Sequence, residues 1–151
     1  MNLENTDPCR GYKKLGDVMK KEIDHIGIAV NNMEDSINIY RDILGLDFKG
    51  TEEIKDQKVI VATFLVGGVK VELVQPTHPD SSMRKFIDKR GEGMHHIAFM
   101  VENIDKSLKD LSEKGVKLID EKARIGADGA RIAFIHPKDM NNVLIELVER
   151  A

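Results

Sequence analysis

The sequence has little of what several protein classes require. Cys9 is its one cysteine among 151 residues, so no disulfide can close within the chain, and such usage fits a reducing cytosol. No apolar run approaches the roughly 20 residues that cross a bilayer, and no signal pattern opens the chain. A cytoplasmic protein without a membrane partner is the expectation. Lys and Arg form no long stripe and the formal net charge is −3, which argues against a nucleic-acid partner. The balance of 41% apolar and 32% charged residues is that of a globular chain rather than a disordered one. Its length suits one compact unit, or two small modules sharing a core.

What the sequence does have is an internal repeat. "DHIGIAVNNMEDS" (24–36) returns as "HHIAFMVENIDKS" (95–107), placing His25 on His96, Ile26 on Ile97, Asn32 on Asn103 and Ser36 on Ser107. In the first copy Ile23, Ile26, Ile28 and Val30 mark a largely buried strand. "NNMEDSINIYRDILG" then reads as a helix, with Asn32 as N-cap, Glu34 and Asp35 in the first turn and Gly45 as the stop. Strands follow over 46–53, "KVIVATFLV" and "VKVELVQP", the last two joined at Gly67-Gly68. The second copy repeats this order: "HHIAFMV", a helix "NIDKSLKDLSEKG" capped by Asn103 and stopped by Gly115, then strands 116–122, "ARIAFIHP" and "NVLIELVE". The pattern predicts an α+β fold of two βαβββ modules, 22–76 and 94–149, within a single domain 22–150. A polar linker, 77–93, carries a short helical stretch around "SSMRKFIDKR". Residues 1–21 read as a polar tail, or as an over-extended start with Met19 as the natural initiator.

The repeat singles out four side chains. Each module has a histidine on its first strand, His25 or His96, and a glutamate on its last, Glu72 in "VELV" or Glu146 in "IELV". One such histidine is more often a hydrogen-bonded structural residue, and a glutamate in a strand more often faces solvent. Two of each at equivalent places weaken both readings. Two imidazoles and two carboxylates facing one cleft suit a divalent ion with open positions; cobalt, nickel, manganese or zinc would fit, and the lack of thiolates disfavours a structural zinc site. Strand alternation turns His95 to the face opposite His96, leaving it a structural or supporting residue. His78 and His136 read as loop residues.

The paired modules resemble the vicinal oxygen chelate superfamily over 22–150. "GMHHIAF", "IGADGARIAFIHPKD" and "VLIELVE" resemble its methylmalonyl-CoA epimerase family in particular. "HPKD" is the most specific piece, since glyoxalase relatives usually carry a "DPDG"-like turn there. The resemblance implies His25, Glu72, His96 and Glu146 as metal ligands, with Gln replacing the second in some members, and cobalt as the foremost occupant. It implies an isomerase that interconverts the (R) and (S) forms of methylmalonyl-CoA through a metal-stabilised enolate, with Glu146 as one acid/base and Glu72 as the candidate for the other. Some members place a catalytic Glu on the strand equivalent to "KVIVATF"; this chain has nothing acidic there, which leaves the second role to Glu72 or to a water. A glycine common before "VLIEL" is Asn142, a turn-tolerant substitute. For the acyl-CoA partner the resemblance suggests Lys138, Arg124, Gly126 and Gly129, with Arg84, Lys85, Lys89 and Arg90 as further cations, and a homodimer is expected. The alternatives are a glyoxalase I, a metal-free small-ligand-binding protein of the same fold and, further off, an extradiol dioxygenase.

Overall fold

The computed structural model of the chain describes residues 19–151, so the expected tail lies, up to residue 18, outside the described residues. The first strand, β1, begins at Met19 and runs to Ala29. It leads into helix α1 (Met33–Ile37), β2 (Asp47–Ile54), β3 (Val59–Val66) and β4 (Val69–Pro76). After α2 (Ser82–Arg90) the order repeats as β5 (Gly93–Val101), α3 (Ile104–Glu113), β6 (Arg124–Ile125), β7 (Arg131–Ile135) and β8 (Ile145–Glu149). Eight strands form one mixed sheet in the order β2-β3-β4-β1-β5-β8-β7-β6. β1 pairs parallel with β4 and β5 parallel with β8, while β1 and β5, the first strands of the two modules, join antiparallel at the centre. None of the described helices is long and apolar enough to cross a membrane.

The duplicated signals fold in duplicate. The Asn32 side chain accepts from the Asp35 N–H and Asn103 from the Lys106 N–H, each offsetting an orphan donor of a first turn. Ser36 and Ser107 each donate back to the carbonyl of that capping asparagine. On α3, Ile104, Ser107, Leu108 and Leu111 form the buried stripe that packs with Val101, Ala133, Ile135 and Leu147. The first module packs Met33 of α1 with Val30, Ala62, Phe64 and Leu73. Both helices therefore cover one face of the sheet; on the other, Met83 and Ile87 of α2 pack against Ala29, Val59, Val61 and Val74, beside the part that lines a cleft.

Two elements depart from the sequence pattern. The first helix keeps α geometry only to Ile37 and continues as a wider π turn over Asn38–Ile43; Gly45, at φ +72, ends it. The strand expected over 116–122 does not form. Val116 and Leu118 pack against the core below α3, and only Leu118 makes a bridge, to Ile135. Burial against the helix satisfies these apolar residues without an edge ladder, and the pairing passes to Arg124–Ile125.

Phe64, fully buried between Tyr40 and Phe48, tests the first module's core. Phe64→Ala should lower unfolding free energy by about 3–5 kcal/mol, read from urea denaturation. A loss under about 1 kcal/mol would place the core elsewhere.

Candidate metal centre

Four adjacent strands at the centre of the sheet, β4, β1, β5 and β8, carry Glu72, His25, His96 and Glu146. Their register sets two rows across the cleft face. Glu72, Gly27 and His96 are cross-strand partners in one row, and His25, Ala98 and Glu146 in the next. Each row thus holds two large polar side chains with a small residue between them. Gly27 has to be small, because a Cβ there would collide with the His96 imidazole. Ala98, its counterpart in the repeat, is fully buried. Strand alternation sends the neighbouring Leu73 and Leu147 to the helix-covered face.

The donor atoms converge. His25 Nε2 lies 3.0 Å from His96 Nε2. Glu72 Oε2 stands 3.0 Å from His25 Nε2, and Glu146 Oε2 stands 3.1 Å from His96 Nε2. Each carboxylate therefore meets the histidine of its own module, and Glu146 also reaches across to within 3.6 Å of His25 Nε2. Bonds of about 2.1 Å to a divalent ion set neighbouring donors about 3.0–3.4 Å apart, depending on whether the angle is square or tetrahedral. The His25–His96 and His96–Glu146 spacings fall in that range, the His25–Glu146 spacing slightly exceeds it, and Glu72 lies outside the group whose ligand atoms are all mutually close. His25, His96 and Glu146 form the tightest group, with ligand atoms within 4.8 Å of one another, and Glu72 stands beside His25. Neutral imidazole and carboxylate together suit a divalent ion of intermediate hardness.

The Nδ1 atoms are held from behind, by a device that alternation does not foresee. Between Ile23 and His25, and again between Gly27 and Ile28, the β1/β5 register slips by one residue. The extra residues, Asp24 and His95, each precede a site histidine. A bulge turns adjacent side chains toward one side, so His95 does not face away as expected. Its Nδ1 lies 2.8 Å from His96 Nδ1, and the Phe86 ring abuts it edge-on. Asp24 Oδ2 lies 2.6 Å from His25 Nδ1. The Asp24 carboxylate also receives two hydrogen bonds from the Arg150 guanidinium, at 2.7 and 2.8 Å. Of these residues the sequence pointed to His95 alone, as a structural or supporting residue but on the wrong face; Asp24 and Arg150 carried no signal, although each histidine's preceding residue is polar in both copies.

Electrostatics follow from this crowding. Burial would strip His25 of its proton, but the carboxylates of Asp24, Glu146 and Glu72 outweigh it and raise its pKa to about 11. Burial would likewise raise Glu146, yet hydrogen bonds from His25 and His96 hold it down at about 2. Asp24 is opposed by burial and held well below the usual carboxylate range by Arg150 and His25. His95 is pushed down to about 3, by burial first and then by the neighbouring His96. With His95 neutral, its Nδ1 can accept from His96 Nδ1–H, which orients the ring with Nε2 turned toward Glu146 and the cleft.

A cavity of about 360 Å³ opens on this centre, with Val59, Val61, Val74, Ile132, Phe134 and Val148 among its apolar walls. Arg124 and Gly126 line it too. Arg124 is ion-paired with Asp120 and lies over the Phe134 ring. Gly129 lies outside the lining and shapes the 127–129 turn at φ +69. Lys138 lines none of the described cavities. The "HPKD" segment closes as a single tight turn in which the Lys138 N–H donates to His136 Nδ1, and the Lys138 side chain is solvent-exposed. His78 caps its loop in the same way, accepting from the Asp80 N–H. Asn142 takes φ +63, the left-handed geometry for which asparagine is the usual substitute for glycine.

Over residues 24–134 the sequence matches the model of the Glyoxalase/Bleomycin resistance protein/Dioxygenase superfamily. It is 35% identical over 126 residues to the mitochondrial methylmalonyl-CoA epimerase of Mus musculus, spanning 83% of this chain and 71% of that protein. Among solved structures it is similar to methylmalonyl-CoA epimerase from Mycobacterium tuberculosis, with a TM-score of 0.84, 38% identity and 95% of each chain covered. A methylmalonyl-CoA epimerase in complex with methylmalonyl-CoA and NH4+ aligns at a TM-score of 0.83 and 37% identity, over 89% of this chain and 96% of that one.

Two measurements probe the centre. Gly27→Ala should displace the His96 ring and weaken divalent-ion binding at least roughly tenfold, the scale on which disturbed ligand support acts, with unchanged circular dichroism; wild-type affinity would contradict the close packing. An ion would also have to replace the His25 proton. Because that proton is held up to about pH 11 and is shed only above it, ion affinity should rise with pH from neutrality to that limit. Calorimetry at pH 7 in buffers of different ionisation enthalpy should record close to one proton released per ion, and none released would contradict the His25 assignment.

Proposed function

The chain belongs to the Glyoxalase/Bleomycin resistance protein/Dioxygenase superfamily, and on that premise we propose that it is a methylmalonyl-CoA epimerase, interconverting the (R) and (S) forms of its substrate. The observation that carries this reading is the pair of buried carboxylates, Glu72 and Glu146, at repeat-related positions about two convergent imidazoles. Among the described residues that line the cavity, the other carboxylates, Asp56 and Asp80, are exposed at its rim.

Epimerisation at a carbon between a thioester and a carboxylate requires a proton to leave one face and another to arrive on the opposite face. Glu146 is ionised at neutral pH, the form a base needs, but so low a pKa makes it a weak one. The step therefore depends on acidifying the carbon. A divalent ion held by His25, His96, Glu146 and Glu72 would supply the positive charge against which the enolate develops, worth several kcal/mol. Glu72, on the His25 side, would have to take up a proton from solvent and deliver it to the opposite face, while Glu146 passes the proton it removed back to solvent. The aliphatic wall that includes Val61 adds no acid of its own and keeps bulk water from the carbon.

A cavity of about 360 Å³ is at the small end of ligand sites, so the nucleotide end of an acyl-CoA has to lie beyond it. A second cavity shares Ser82, His95 and His96 with the first and is rimmed by Lys85, Lys89 and Arg90 of α2. Among the described residues these three cations have no ion-pair partner, whereas Lys58 and Arg124 at the first cavity face Asp80 and Asp120. The phosphates of CoA are assigned to the α2 side on that contrast, in place of Lys138. Cobalt is the proposed occupant of the centre, a homodimer the proposed assembly and the cytoplasm the proposed compartment, in keeping with the donor set, the family and the single cysteine.

Substitution of the glutamates tests the roles. Glu146→Gln should lower turnover by roughly a thousandfold, the scale of a lost acid/base group. Glu72→Gln should lose less, because an amide oxygen still coordinates. Equal residual rates would mean the base is misassigned. Replacing Lys85, Lys89 and Arg90 together by Ala should raise KM for the CoA thioester about tenfold at low salt, leave kcat within a factor of about two, and leave the pantetheine thioester unaffected, as expected of phosphate contacts that act in binding alone. A fall in kcat with unchanged KM would contradict that placement.

A further inference from the structure

We infer that Arg150, acting through Asp24, is a positioning residue of the metal centre: it neutralises Asp24 and fixes the His25 imidazole with Nδ1 donating and Nε2 turned to the ion. The inference rests on the metal-centre reading above and concerns residues outside the ligand set. Asp24 is almost wholly buried, and a lone carboxylate there would be costly. Arg150 follows β8, the strand that carries Glu146, and β8 is separated from β1 by β5. Its side chain crosses that intervening strand to hold both oxygens of Asp24 through Nε and a terminal nitrogen. The planar two-pronged donor leaves Asp24 one orientation, and in it Oδ2 meets His25 Nδ1. A residue just past the second module's last strand thereby sets the tautomer of the first module's histidine.

The two histidines are supported differently. His96 leans on the imidazole of His95, a neutral partner, whereas His25 leans on a carboxylate. Without Arg150, the carboxyl groups of Asp24, Glu72 and Glu146 would crowd the centre with no guanidinium beside them. A malonyl thioester brings a further carboxylate to this centre, and the Arg150 charge offsets part of the repulsion it meets. Arg150 also borders the cavity, so its charge lies on the side from which the substrate comes.

The test uses zinc and the full-length protein, with no acyl-CoA, so its outcome is independent of the epimerase assignment. Zinc affinity is measured by competition with a chromophoric chelator, and the His25 Nδ1–H proton is followed by NMR in the zinc-loaded protein. Arg150→Gln should weaken zinc binding roughly tenfold and shift that resonance, with Asp24→Asn weakening it roughly ten- to hundredfold, as expected for partners that orient a ligand. Arg150→Lys, which keeps the charge, should recover most of the affinity. Arg150→Gln protein that melts earlier but binds zinc as wild type, with the resonance unmoved, would make the pair a structural clamp only and overturn the proposal. If His25→Ala itself retained wild-type zinc affinity, the metal-centre reading would fail instead.

Discussion

The structure is organised around the burial of two imidazoles and two carboxylates within hydrogen-bonding distance of each other on one face of a sheet. Groups of this kind are costly to remove from water unless they are paired. Each feature around them can be read as a condition of that burial. Gly27 and Ala98 leave room between the large side chains of their rows. The bulges at Asp24 and His95 supply a partner for each Nδ1. Helices α1 and α3 sit on the opposite face, so that Leu73 and Leu147 can fill a core while Glu72 and Glu146 face the cleft.

Duplication accounts for the form of the site. Each module brings one histidine and one glutamate that meet each other, and joining β1 to β5 antiparallel brings the two pairs together at the centre of the sheet. In the proposed reaction, an approximate twofold arrangement would give a reacting carbon an acid/base group from either module, which is what inversion of a stereocentre requires. The symmetry is broken where the proposed chemistry needs a difference. Glu146 reaches both histidines while Glu72 stands at His25, and the supporting groups are a carboxylate with its guanidinium on one side and a neutral imidazole on the other.

The four side chains that converge on the cleft were legible in the sequence because a repeat converts two ambiguous residues into a matched pair; His25 alone would have read as a structural histidine. The modules were legible from the asparagine caps, the stopping glycines and the period-two strands. Residues that depend on a register slip were not. A bulge leaves the order of residue types unchanged, so alternation assigned His95 to the wrong face, and Asp24 drew no notice as the residue before a ligand. Arg150 was hidden because its partner lies 126 positions away. The failed strand at 116–122 shows the complementary limit: β-branched and aliphatic residues are satisfied by packing under a helix as readily as by a ladder. Free cations carry no local signal either, and only the ion pairs of the folded state separate Lys85, Lys89 and Arg90 from Arg124.

The central claim is that two carboxylates about one metal centre exchange a proton across the faces of an enolate. It is tested most directly by giving the cobalt-loaded protein a single epimer of methylmalonyl-CoA in deuterated water and following the α-carbon by NMR. The account predicts inversion accompanied by deuterium at that carbon, since the returning proton comes from a group that exchanges with solvent. Inversion without solvent label would mean that one shielded carboxylate carries the same proton to both faces. An α-proton that neither inverts nor exchanges, with the ion bound, would contradict the account.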